Sequence, residues 1–412
     1  MNNPAVRALA SCSLLVFQLA CGGDSPTEPA PKRAGIVITG IPQWLQVGRS
    51  IQLTVSYIDS SGQEIAGGGF TWLSSNPAVA RVSPEGMVTT RSVGDAAFSV
   101  TGGGFYTSNG FLVIDSLITT RVTVNDNPFG VAVFGDKAYV TRPSIASIAV
   151  LSVSAEAVTD SIFMGVGTYP AKVVFDLTGT RAFVANQVGT LGVIDVSTNS
   201  PMTSIDFVGS GFAVAAGPDG NTVWVTSHYS YGDTYHPDHI YALDLATLAV
   251  VDSGLSPGYA EGLVRSPTLP LLYAGGDGMA WTPNLYELDA ETLDTLRSWA
   301  LGSVLGSLVV SADGTRLFVA NPTGFLNVID LATGIVESNL RFVGDGLGIA
   351  LSPDGTQLAV SSNGGFVQVY DTRTMQRTKL VYTGGKPQGL AYSSDGKRLL
   401  VANEYRWVDF IR

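Results

Sequence analysis

Cysteine and histidine are almost missing from this chain: two of the first and three of the second in 412 residues. Both cysteines, Cys12 and Cys21, lie at the N-terminal end. The body of the protein therefore has no disulfide, no thiol nucleophile and no Cys-ligated metal. Charge is also scarce, at 14% of residues against 45% hydrophobic, which excludes global disorder. No basic cluster is present and the net charge is −11, so nucleic-acid binding is excluded. The acidity reads as serving solubility, with a preference for cationic ligands as the alternative. No helical periodicity runs beyond residue 21, and no G-x-S-x-G, Walker loop or dinucleotide fingerprint occurs. Present instead are 48 Gly, 20 Pro and short runs rich in Val and Thr. This pattern predicts many short strands joined by tight turns, an all-β protein.

The N-terminus reads as a targeting segment. Arg7 supplies the positive end, and "ALASCSLLVFQLA" is an apolar stretch too short to span a membrane comfortably. It runs into "LACGGDSPTEPAPKRA", with Cys21 after Ala20. This resembles a bacterial lipoprotein signal, in which such a cysteine is lipidated and becomes the mature N-terminus. Gln18 departs from the usual Leu, and Cys12 in "LASC" is the alternative acceptor, but cleavage there leaves almost no apolar stretch. Gly22 resembles lipoproteins sorted to an outer membrane. The expected organisation is a signal peptide over 1–20 and a lipidated tether over 21–34, facing the periplasm or the cell surface.

Residues 35–116 read as a β-domain. "IQLTVSYID" and "AAFSVTG" alternate apolar and polar side chains. Between them lie Trp72, the turn Ser74-Ser75-Asn76-Pro77, the strand Val79-Ala80-Arg81-Val82, and Gly86. In that order these resemble the bacterial Ig-like domain, group 2. The resemblance implies a small sandwich with Trp72 in its core, acting as a spacer or adhesive module.

From residue 117 to 412 the sequence repeats. "DLTGTRAFVANQVGTLGVIDVST", "SADGTRLFVANPTGFLNVIDLAT" and "SPDGTQLAVSSNGGFVQVYDTRT" share one pattern. The turn glycines Gly179, Gly220, Gly314, Gly355 and Gly396 recur about every 41 residues, with one double interval between 220 and 314. Such a period with four strands per unit predicts a β-propeller. Seven inner strands are expected near Gly130, Ala171, Phe212, Gly262, Ser307, Leu347 and Gly389. The last unit stops after three strands, and "SLITTRVTV" (116–124) is expected to supply the fourth. The repeated Asp-Gly pairs predict tight hairpins with both central residues at positive φ. Pro128-Phe129-Gly130-Val131-Ala132, Phe183-Val184-Ala185-Asn186, Phe318-Val319-Ala320-Asn321 and Ser352-Pro353-Asp354-Gly355 resemble the YVTN-type family of seven-bladed bacterial propellers. That resemblance implies the fold; the function stays open, because propellers host binding proteins, lactonases and oxidoreductases alike.

Two kinds of residue invite chemistry. Asp195, Asp244, Asp289, Asp330 and Asp371 each precede a Thr by three. Their repetition favours turn-making over catalysis. Departures from the repeat are more telling. "HYSYGDTYHPDH" (228–239) and "AGGDGMAWTPN" (274–284) are long insertions where other units have short turns. On one face they would bring together His228, Tyr229, Tyr231, His236, Asp238, His239 and Trp281. Three readings compete: contacts to a sugar, peptide or small molecule; a Zn or Cu site on His228, His236 and His239; or a plain surface insertion. Lys172, Glu261, Asp345 and Lys386 are expected at a central channel, with Lys172 and Glu261 contacting a polar ligand. Glu261, Arg265 and His236 would be the set for a lactonase, but Arg265 is expected near the opposite end of its strand, which weakens that assembly.

The expected function is a monomeric, membrane-anchored binding or scaffold module with no bound cofactor. Its partner would be a protein, carbohydrate or small molecule. The alternative is an enzyme on the same face, a lactonase-like hydrolase or a metal- or quinone-dependent oxidoreductase.

Overall fold

The computed structural model describes residues 32–115, 118–228, 238–276, 283–301 and 307–412. Cys21 and the predicted signal and tether up to residue 31 lie outside the described residues, as do Tyr229, Tyr231, His236 and Trp281. The described chain is all β, with one 3-10 turn at Pro143–Ile145 and no α-helix. None of its helices is long and apolar enough to cross a membrane.

The N-terminal region packs three small sheets around Tyr57, Trp72, Phe98 and Phe111. Strand Gly94–Gly102 shows why its sequence folds so: Ala96, Phe98 and Val100 are buried, while Asp95 and Thr101 face water. Beside Trp72, the Ser74 hydroxyl donates to Ala80 O (2.7 Å), and the Ser75 hydroxyl accepts the Ala97 N–H (2.9 Å). These bonds seat the Pro77 turn. The region does not hang free. Its last strand, Phe105–Ile114, ends with Asp115 N–H bonded to Leu380 O (2.7 Å). Ile114 is buried with Phe366 and Leu380, Trp44 lies 5.3 Å from Tyr382, and Asp95 pairs with Arg377 at 3.1 Å.

Seven four-stranded antiparallel sheets follow. Their inner strands are Val131–Phe134, Pro170–Phe175, Ser210–Ala216, Gly262–Arg265, Ser307–Val310, Gly346–Leu351 and Pro387–Tyr392. Each inner strand packs against the next, and the seventh packs against the first. There Gly389 N–H donates to Phe129 O at 2.9 Å. The seventh sheet takes its outer strand, Ile118–Thr123, from the segment before the first sheet.

The hairpins differ from expectation. Gly179, Gly220, Gly314, Gly355 and Gly396 have φ of 68° to 73°, but Asp219, Asp313, Asp354 and Asp395, which precede four of them, do not share the positive φ. The loops are longer turns. Ser311 N–H reaches Arg316 O (2.8 Å), and Gly314 N–H reaches Ser311 O (2.9 Å). The Asp313 carboxylate accepts the Ser311 hydroxyl (2.6 Å) and the Thr315 N–H (3.0 Å). Local bonding to an aspartate in an ordinary backbone region removes the need for a left-handed one.

The third-strand aspartates behave as turn-makers. Asp195, Asp244, Asp289, Asp330 and Asp371 accept the N–H of Thr198, Thr247, Thr292, Thr333 and Thr374 at 2.7–3.1 Å. On the same side, basic residues staple several sheets to the turns of another. Arg297 donates to Leu331 O (2.6 Å), Arg316 to Thr372 O (2.6 Å), and Lys137 to Val196 O.

Glu156 of the first sheet makes the corresponding link to the seventh. It accepts Arg398 Nε (2.9 Å), Arg412 Nη2 (2.7 Å) and the Thr120 hydroxyl. The Thr120 hydroxyl and the two guanidiniums hold its carboxyl at about 2, below the ordinary 4.5, although burial opposes them. The folded value lies below the unfolded one, so this stabilisation is complete above pH 4.5 and fades as pH falls toward 2. Glu156→Gln is expected to cost about 2 kcal/mol at neutral pH, discounted for the exposed Arg412, and little near pH 2. Urea unfolding at both pH values checks this; an equal loss at each would assign the effect to packing.

Candidate functional site

The inner strands converge on a cavity of about 350 Å³. One register column shapes it: Gly130, Lys172, Ala213, Gly262, Ser307, Gly348 and Gly389, each just before the residue paired with the middle of the second strand. All of these but Ala213 line the cavity. Small residues are required by the close approach of backbones. A Cβ on Gly348 would sit 2.1 Å from Gln388 O, and one on Gly389 would sit 2.6 Å from Phe129 O. Lys172 is the single long side chain in this column. Its Nζ reaches from the second sheet to the main-chain oxygen of Glu261, at the start of the fourth. Desolvation in the cavity pulls the Lys172 ammonium below the ordinary lysine range, and the Glu261 carboxylate opposes that pull.

Across the cavity, Lys386 Nζ pairs with Glu404 Oε1 at 3.0 Å, and Gln388 Nε2 donates to the same oxygen. Asn403 sets this group by accepting the Lys386 N–H (3.0 Å) and donating to Gly384 O (2.8 Å). Gln388 and Glu404 were not among the expected site residues. Their signal is a polar residue at a position that is Phe129, Ala171, Phe212 or Leu347 in four other units, and an acid just after "VAN".

Lys172, Glu261 and Lys386 thus line the cavity as expected; Asp345 does not. Its carboxylate instead accepts Asn363 Nδ2 at 2.6 Å on the surface of the sixth sheet. Arg265 ends the strand that Glu261 precedes and is not in the cavity lining. Four residues of extended chain separate the two by about 13 Å, so a strand of this pitch does not bring them together.

The histidines divide. Ser227 pairs with His239 across adjacent strands, so His228, one position on, projects from the opposite side of the sheet. His239 stacks on Tyr241 at 5.8 Å. His228 lies edge-on to Tyr259 at 4.4 Å, and its Nδ1 meets Asp238 Oδ2 at 3.0 Å. Strand alternation therefore separates two of the three expected metal ligands, and the third, His236, lies outside the described residues. Among the described residues no cluster of three His, Cys, Asp or Glu side chains is placed to hold a metal ion.

The His228–Asp238 pair has another role. Asp238 Oδ2 accepts the Tyr259 N–H (2.6 Å), and Asp238 O accepts the Ser256 N–H (2.9 Å). Thr226 Oγ1 donates to Ala260 O (2.8 Å). Three bonds from the third sheet thus hold the connection that carries Glu261 to the cavity, with Tyr259 kept at a left-handed φ of 52°.

No curated protein matches the chain. Residues 42–105 match the bacterial Ig-like domain (group 2), the family in which the N-terminal sandwich and its buried Trp72 belong.

Proposed function

We propose that the seven sheets are the blades of a YVTN-type propeller, and that the chain is a cell-envelope lipoprotein binding a ligand at the mouth of its central cavity. The observation that carries this reading is the small-residue column of the inner strands, interrupted once by Lys172. Six small residues keep the centre open, and a desolvated cation stands in it. The described ends of the two insertions, His228 with Asp238 and Gly276, lie beside the connection that carries Glu261. In this reading Tyr229, Tyr231, His236 and Trp281, which lie outside the described residues, contribute contacts to the ligand.

The Ig-like domain supports an extracellular or surface location, where domains of this group occur. Cys21 is the proposed lipid anchor, at an outer membrane. Cys21→Ser is expected to move the protein from the membrane to the soluble fraction; retention in membranes would refute the anchor.

A ligand screen by thermal shift on the protein tests the site. Trp281→Ala and His236→Ala should each weaken a found ligand at least about tenfold and leave the unliganded melting temperature within about 1 °C. A fall in that temperature would make them core residues and remove them from the site.

One observation favours the second reading, an enzyme on the same face. His228 Nδ1 is held by a carboxylate, the arrangement that orients an imidazole for proton transfer or metal ligation. His228→Ala abolishing a hydrolytic activity, with ligand binding kept, would establish that reading in place of simple binding.

A further inference from the structure

The cavity holds two preformed charge groups, one at each side, and each has capacity left over. Lys172 Nζ spends one of its three donors, on Glu261 O. Glu404 takes both of its side-chain hydrogen bonds, from Lys386 and Gln388, on Oε1. Its Oε2 has no hydrogen bond among the described residues. The lining between them is largely glycine and aliphatic: Gly130, Val131, Val173, Gly389 and Leu390. One end can therefore donate to an anion, the other can accept from a cation, and the middle is uncharged.

From this we infer that the cavity takes a small dipolar ligand carrying both an ammonium and a carboxylate, of the size of an amino acid or dipeptide. The ligand carboxylate would lie on Lys172 Nζ and its ammonium on Glu404 Oε2. This rests on the reading of the cavity as a ligand site. The cavity of about 350 Å³ lies at the small end of ligand pockets, which excludes a long oligosaccharide or a folded partner from its interior. Balanced charges make the selection. A dianion or dication would meet one favourable and one unfavourable end, whereas a dipolar molecule satisfies both. A neutral sugar would draw on neither charge.

Titration calorimetry on the full chain in detergent, with alanyl-alanine, N-acetyl-alanyl-alanine, alanyl-alaninamide and maltose, tests this. Alanyl-alanine should bind, and each capped form should bind at least about tenfold more weakly, as expected when a buried polar group loses its partner. Lys172→Met should weaken alanyl-alanine about tenfold and leave the amide unchanged, so that the two bind alike. Glu404→Gln should do the same for the free and acetylated amines. If maltose binds, responds to Lys172→Met, and alanyl-alanine does not bind, the ligand site stands and the dipolar inference falls. If no probe binds and both substitutions only lower the melting temperature, the two charge groups are structural and the inference falls with them.

Discussion

Arg121→Leu is expected to lower stability by about 2–4 kcal/mol, because it leaves the buried Asp409 carboxylate without its cation. Asp409 has no exposed side-chain surface, while Arg121 keeps 41%, which sets the estimate below that of a fully buried pair. The guanidinium binds Asp409 through Nε (2.7 Å) and Nη2 (3.2 Å), donates to Thr383 O (2.6 Å), and lies 4.1 Å over the Trp407 ring. These contacts fasten strand Ile118–Thr123 to strand Trp407–Ile411, so they secure the seventh sheet. Burial pushes the Asp409 carboxyl up, and Arg121 holds it down. In the variant the acid should protonate more readily. The deficit should therefore shrink as pH falls toward the carboxylate range. Arg121→Leu with Asp409→Asn should recover much of the loss, because no charge is then stranded. Chemical unfolding of both variants measures this. A single variant as stable as the parent would mean that the strand is held by its backbone ladder alone.

Gly348→Val is expected to cost about 3 kcal/mol or more, the upper range for overpacking a core. Even a Cβ here would lie 2.1 Å from Gln388 O and 2.9 Å from the Ser361 hydroxyl. The obstacle is backbone, so no rotamer change relieves it. The sixth and seventh inner strands must separate, and the bond from Ser361 Oγ to Gln388 O (2.6 Å) is lost with them. Gln388 holds Glu404, so the charge group across the cavity should be disturbed too. Gly355→Ala is the control: its hairpin has open space around it, and only the positive φ of 72° opposes a side chain. It should cost about 1 kcal/mol. Equal losses at the two positions would show that backbone conformation, not contact between sheets, makes glycine necessary at Gly348.

What can be read in the sequence follows from how local each interaction is. The Asp…Thr turns were legible because donor and acceptor lie three residues apart, as in Asp330 and Thr333. Strand identity was legible because a half-buried strand writes alternation into its residues, as Gly94–Gly102 does. The source of the seventh sheet's outer strand could be read from a unit one strand short and a spare strand upstream. The hairpin type was misjudged because Asp-Gly fits two geometries, and the hydroxyl of Ser311 decides between them.

The site was legible only in part. Lys172 stood out as a charge on an inner strand otherwise apolar, and Glu261 as a charge just before another inner strand. Their meeting was not visible, because an amine of the second sheet bonds a backbone oxygen before the fourth. Gln388 and Glu404 come from the opposite end of the repeat and share the cavity only because the seventh inner strand lies against the first. The clustering of the three histidines in sequence was misleading. Adjacent strands send His228 and His239 to opposite sides, and Asp238 anchors the connection that bears Glu261.

By itself, then, the sequence determined an all-β chain, an Ig-like domain with Trp72 at its centre, and a repeating unit with its turns. All of these rest on neighbours in the chain. Tertiary structure alone decided which charges share a cavity, which acid is stranded without Arg121, and which glycine cannot be replaced. Those depend on contacts between sheets, and a strand's own periodicity carries no record of what lies across the gap.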